Sequence, residues 1–178
     1  CVIMSNFEVP PDEELRIATL KSYEVLDTAP EVCLDDITEL AAEILGYPVS
    51  FIEFMDADRQ WFKSKYGLPE DVTETPRDIA ICNTVISSGN LLCVPDLSQD
   101  DRFRTNPLVE AEPNIRFYAG APLITPNGQA VGTICSVDFK KREISVNQQE
   151  ALKKLSKQVM TQLELRRTLI EVKDSLIV

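Results

Sequence analysis

Two apolar runs flanking Pro126-Asn127-Gly128 constrain this chain more than any other feature. The first run reads Ile115-Arg116-Phe117-Tyr118-Ala119-Gly120-Ala121-Pro122-Leu123, and the second Val131-Gly132-Thr133-Ile134-Cys135-Ser136-Val137-Asp138. Asn-Gly tolerates the positive φ angles that a tight hairpin demands, and between apolar runs it is the strongest short-range hairpin signal. Both runs are apolar on both faces, so they are expected as central strands of a sheet covered on both sides. A helical pattern free of glycine and proline follows from Val146 to Val178.

The rest of the chain reads as alternating helices and strands joined by hairpins rather than crossovers, which favours an antiparallel sheet with helices on its faces. Residues 1–10 are expected as a flexible lead-in. Pro10-Pro11-Asp12 opens a helix through about Ser22, with acidic residues in its first turn, where the helix dipole favours them. Leu34, Ile37, Leu40, Ala41, Ile44 and Leu45 form the stripe of a second helix, ended by Gly46 and Pro48. Val49 to Met55 is a central strand, apolar on both faces except at Glu53. Gln60 to Tyr66 is a strand nearer an edge, Gly67 to Arg77 a loop, Asp78 to Ser87 a short helix and Leu91 to Val94 a short strand. Pro95 to Pro113 is a polar segment expected to hold one or two helical turns.

Composition removes several function classes. The 178 residues carry 18 basic and 29 acidic side chains, a formal charge of −11, which disfavours nucleic acid as a partner. No apolar stretch approaches the ~18 residues that cross a bilayer, so no membrane partner is expected. The five cysteines (Cys1, Cys33, Cys82, Cys93 and Cys135) form no C-x-x-C pair, which fits reduced thiols and a cytoplasmic location. There is no histidine, so a His-based metal site, a Ser-His or Cys-His nucleophile pair and a phospho-accepting histidine are excluded within these residues.

Four blocks together resemble a GAF domain of a bacterial signalling protein, of the kind found ahead of sensor kinases or cyclases. They are Asp58-Arg59-Gln60-Trp61-Phe62-Lys63-Ser64; Glu74-Thr75-Pro76-Arg77 leading to Cys82; Val94-Pro95-Asp96 with Asp101-Arg102-Phe103 and Asn106-Pro107-Leu108-Val109; and Arg116 to Leu123 with Gly132-Thr133 and Asp138. The resemblance implies an α+β, PAS-related fold, with an antiparallel sheet of five or six strands, helices on both faces and a long C-terminal signalling helix. It implies a sensory domain over 11–163 and a signalling helix starting over 164–178. It also implies a non-enzymatic module that senses a small molecule and regulates a covalently linked output: a histidine kinase, a response regulator or a nucleotide cyclase. Related sequences often carry a histidine shortly after the cysteine, where the corresponding stretch of this chain reads Ala80-Ile81-Cys82-Asn83-Thr84-Val85-Ile86. With no Cys-His pair, a covalent bilin is disfavoured and the cofactor stays unassigned. Two other readings remain open: an enzyme like the free methionine-sulfoxide reductases, and a ligand-free structural dimerisation module.

Six residues are candidates for binding a ligand: Trp61, Asn83, Asp96, Arg102, Phe117 and Cys135. Asn83 shares a helical face with Ile79, Cys82 and Ile86, so its amide points where apolar residues point and needs a partner. It could face a cavity between helix and sheet or bond a loop carbonyl. Trp61, Phe117 and Tyr118 could line the cavity or fill core, with adjacent Phe117 and Tyr118 projecting to opposite faces so that at most one of them lines it, whereas Asp96 and Arg102 flank the long loop that could cap it. Cys82, Cys93 and Cys135 fall in apolar elements, where cysteine acts as a small hydrophobe. Glu53 needs a partner or a raised pKa, and a partly exposed ion pair with Arg59 or Arg116 is expected. No metal-ligand pattern is present.

The C-terminal helix carries two stripes. Leu152, Leu155, Val159 and Leu163 should pack on the sheet. Leu165, Leu169, Val172 and Leu176 then follow 4-3-4 spacing, a coiled-coil seam that predicts a homodimer.

Overall fold

The computed structural model describes residues 7–177. The expected lead-in lies mostly outside them, as does Val178. Five helices surround one sheet: α1 (Glu13–Lys21), α2 (Val32–Leu45), α3 (Cys82–Ser88), α4 (Pro107–Glu110) and α5 (Val146–Ser175). The strands are β1 (Val49–Met55), β2 (Arg59–Tyr66), β3 (Glu74–Pro76), β4 (Leu92–Val94), β5 (Phe117–Ile124) and β6 (Ala130–Asp138). All pairings are antiparallel, in the order β3-β2-β1-β6-β5-β4. The Asn-Gly hairpin joins β5 to β6, with Gly128 at φ 83°. Both strands are central and almost wholly buried, as their two-sided apolar pattern requires.

Side chains alternate across the sheet and build two cores. On one face Ile52, Phe54, Trp61, Phe117, Ala119 and Ile134 meet Leu34, Ala41 and Leu45 of α2 and Leu152, Val159 and Leu163 of α5. On the other, Phe51, Met55, Phe62, Tyr118, Cys135 and Val137 meet Cys82, Val85 and Ile86 of α3, with Leu97, Phe103 and Val109 from the polar segment. Tyr47 stacks on Phe117, with ring centroids 4.5 Å apart.

Three elements differ from the sequence reading. The buried stripe of α2 is Leu34, Thr38, Ala41, Ala42 and Leu45, with Leu40 and Ile44 exposed. The helix lies between β1–β2 and α5, so the covered sector is rotated away from those two residues. The expected helix over 78–87 is divided: a 3-10 turn spans Arg77–Ile79, Ala80 is extended at φ −75° and ψ 117°, and α3 starts at Cys82. Finally, Glu74–Pro76 pairs with Arg59–Trp61 as a short edge strand, where proline is tolerated because its missing N–H faces outward.

α5 begins with a capping box, Ser145 accepting from the Gln148 amide and Gln148 from the Ser145 amide. Its last buried residue is Leu163. Just beyond, Arg166 donates to the Tyr23 and Glu24 carbonyls at 2.8 Å and pairs with Glu31 at 3.0 Å. This clamp fixes α5 to the α1–α2 connector. None of the described helices is long and apolar enough to cross a membrane.

Candidate functional site

A cavity of about 500 Å³ opens on the α3 face of the sheet. Val49, Phe51, Gln60, Phe62, Tyr118 and Val137 form its floor. Ile81 and Cys82 form one wall, and Leu68, Pro69, Val72, Leu108, Pro113 and Ile115 cover it. The floor follows from period-two alternation: Phe51, Phe62, Tyr118 and Val137 project to one side from four strands. Among the described residues no charged side chain lines the cavity. A wider groove of about 900 Å³ runs along α5, lined by Glu150, Lys153, Lys154 and Lys157, and holds no thiol among the described residues.

A polar cluster lies beside the cavity. The Tyr118 hydroxyl donates to Cys82 Sγ at 3.0 Å, and Cys82 Sγ lies 3.9 Å from Cys135 Sγ. Gly120 makes room for the phenol, since a Cβ there would sit 2.3 Å from its oxygen. Burial works against ionisation of Cys82, but the neighbouring Cys135, Thr133 and Tyr118 side chains outweigh it and hold this thiol below the usual value. Burial and the neighbouring Cys82 push Cys135 and Tyr118 well up, so both stay protonated.

Glu53 is fully buried on the same face, opposite Thr133 of β6. Among the described residues neither carboxyl oxygen has a hydrogen-bond partner, nor does the Thr133 hydroxyl. Burial, reinforced by Cys82, raises this carboxyl well above its ordinary range, and the Arg16 and Arg77 charges do not outweigh that. The expected ion pair is therefore absent. Arg59 pairs with Asp27 and Asp56 instead, and Arg116 donates to the Val109 carbonyl. A central strand covered on both faces holds Glu53 out of reach of either arginine.

A second network ties α3 to the N-terminal helix. Arg16 and Arg77, both fully buried, share the carboxylate of Glu13. Burial acts to raise Glu13, but hydrogen bonds from the two guanidiniums hold it below the ordinary carboxylate range. Arg16 also donates to the Met55 carbonyl at 2.7 Å. Arg77 Nε donates to Asn83 Oδ1 at 2.8 Å, and Asn83 Nδ2 donates to the Glu8 carbonyl at 2.9 Å. No long-range sequence signal joins residues 13, 16 and 77.

The six candidate ligand residues do not converge on the cavity. Trp61 and Phe117 belong to the α2–α5 core, and their neighbours Phe62 and Tyr118 face the cavity instead. A one-residue offset in a strand reverses the face. Asn83 is engaged by Arg77 and Glu8. Asp96 caps the 3-10 turn at Leu97–Gln99 by accepting from the Ser98 amide. Arg102 pairs with Asp100 at the surface. Cys135 lies behind Cys82, which lines the wall. Leu165, Leu169 and Val172 of α5 and Leu176 at its C-cap are 54, 61, 51 and 79 % exposed.

Comparison with known proteins fixes the family. A family model of the GAF domain matches residues 29–163, and the chain belongs to the GAF domain family. It is 36% identical over 139 residues to a cyclic di-GMP phosphodiesterase of Pseudomonas aeruginosa, covering 78% of this chain and 23% of that protein. The chain thus spans about a quarter of this curated relative. Among solved structures it is similar to the GAF domain of an Acinetobacter phosphoenolpyruvate-protein phosphotransferase, with TM-score 0.65, 15% identity and coverage of 86% and 95% of the two chains. It is also similar to the free methionine-R-sulfoxide reductase of Neisseria meningitidis, with TM-score 0.64, 15% identity and coverage of 92% and 96%. At such identities the two structures share the fold alone.

Proposed function

We propose that this chain is the sensory and dimerisation module of a signal-transduction protein, acting on a linked output through α5 and not itself an enzyme. The observation that carries this reading is the change of face along α5. Burial ends at Leu163, the Arg166 clamp fixes the helix there, and Leu165, Leu169, Val172 and Leu176 then present an exposed seam in 4-3-4 spacing. Such a seam is satisfied by the same helix from a second copy. The relative from Pseudomonas supports a linked output, since the matched stretch is 23% of a larger protein.

The cavity supplies the input. Adjacent residues of β5 and β6 face opposite ways: Tyr118 and Cys135 toward α3, Phe117 and Ile134 toward α2 and α5. One sheet layer therefore separates an occupant from the signalling helix. A neutral, apolar small molecule fits the uncharged lining. Its entry shifts the cover and biases how the helices pair.

Sedimentation velocity on the full chain and on Leu169→Asp tests the seam. The expected result is a dimer for the parent and a monomer with unchanged circular dichroism for the variant. A parent that stays monomeric at micromolar concentration overturns the reading.

A further inference from the structure

The cavity and the thiol cluster meet at Cys82, and nothing in the sensor reading uses that contact. Cys82 is one of the residues lining the cavity wall, and Cys135 Sγ lies 3.9 Å behind its sulfur. Tyr118, in contact with both the cavity and Cys82 Sγ, donates its proton to the sulfur rather than accepting one. A phenol donor at 3.0 Å favours the thiolate, the nucleophilic form. The second thiol at 3.9 Å is placed to trap whatever forms on the first. We propose that Cys82 and Cys135 are a peroxidatic and resolving thiol pair that the cavity reserves for apolar organic hydroperoxides. This rests on the cavity being the sensor's input site.

The chemistry balances in two steps. Cys82 sulfur attacks the terminal oxygen of R–O–OH; the S–O bond forms, the O–O bond breaks, and the alcohol R–OH leaves with the thiol's proton. Cys82 is then a sulfenic acid. Cys135 sulfur displaces its hydroxyl; the S–S bond forms, the S–O bond breaks, and water leaves with the Cys135 proton. Two thiols lose two electrons and the hydroperoxide gains them. A cellular dithiol reductant resets the pair, so the reaction is a stoichiometric switch.

Closing the bridge brings the sulfurs from 3.9 Å to about 2.05 Å. α3 can take up that movement as a unit. Extended Ala80 precedes it, and Gly89, left-handed at φ 69°, follows it. Asn83 moves with α3 and is bonded to Arg77, so the shift reaches the Glu13–Arg16–Arg77 network. Exposed Cys33 has no such neighbourhood and serves as an internal control.

The test treats the reduced full chain with cumene hydroperoxide or with hydrogen peroxide at equal concentration, blocks the remaining thiols and maps the peptides. The expected product is a Cys82–Cys135 linked peptide, formed roughly 10-fold or more faster with cumene hydroperoxide because its aromatic group is buried on binding. Cys135→Ser should accumulate a Cys82 sulfenic acid that a 1,3-diketone captures, and Tyr118→Phe should slow the first step. Oxidation of Cys33 while Cys82 and Cys135 stay reduced overturns the proposal, as do equal rates with the two peroxides. A thermal shift with 2-phenyl-2-propanol, the alcohol product, separates the two failures. A shift without oxidation removes the thiol switch but keeps the cavity as a binding site. Neither shift nor oxidation removes both.

Discussion

Glu53→Gln should change how stability depends on pH, and the slope follows from Glu53's surroundings. The carboxyl is fully buried, lacks a hydrogen-bond partner, and is pushed well above its ordinary value of 4.5, chiefly by burial. Above that value the unfolded chain releases the Glu53 proton while the folded chain keeps it. The folded state then binds one more proton, so its stability falls as pH rises, until the folded carboxyl itself ionises. The slope approaches about 1.4 kcal/mol per pH unit, the worth of one proton. Gln has the same shape and does not titrate. Urea denaturation of both proteins at several values between pH 5 and 7 checks this, because contributions from other groups cancel in the difference. Glu53→Gln should gain on the parent by about that slope as pH rises. A difference that stays flat across the range would refute the argument and mean that Glu53 ionises as if it were in water.

Glu13 has the opposite sign. Its carboxyl is held below the ordinary range, so its contribution is full above the unfolded value and lost as pH falls. Glu13→Gln leaves two buried guanidiniums without their shared carboxylate and should cost about 3 kcal/mol at neutral pH, less in acid, by urea denaturation. Gly120→Ala should cost about 1–3 kcal/mol, since its Cβ would overlap the Tyr118 hydroxyl. Adding Tyr118→Phe should recover part of that loss, and a double-mutant cycle reads the coupling. Asn83→Ala removes the acceptor of Arg77 Nε and should cost about 1–3 kcal/mol, seen as a lower Tm.

Local signals carried most of the fold. The Asn-Gly turn, the two-sided apolar runs and the glycine after α2 each depend on neighbours within a few residues, and each stands where its pattern requires. The divided helix near Ala80 depends on tertiary contacts: Arg77 is drawn inward to Glu13 of α1 and to carbonyls of the β1–β2 turn. The cavity was half legible. Aromatic residues on β2 and β5 flagged those strands, but choosing between Trp61 and Phe62, or Phe117 and Tyr118, requires knowing which face each helix covers. The apolar context of Cys82 and Cys135 identified buried thiols, yet their approach comes from pairing α3 with β6, 53 residues apart in sequence. Glu53 was visible as an anomaly in an apolar strand; that it has no partner depends on where Arg59 and Arg116 go.

Native mass spectrometry of freshly purified full chain, followed by gentle denaturation, reads subunit number and retained small molecules together and bears most directly on the sensor reading. The account predicts a dimer that takes up a neutral apolar compound in the cavity, and a monomer on Leu169→Asp. A bare monomer that binds no apolar compound would contradict it.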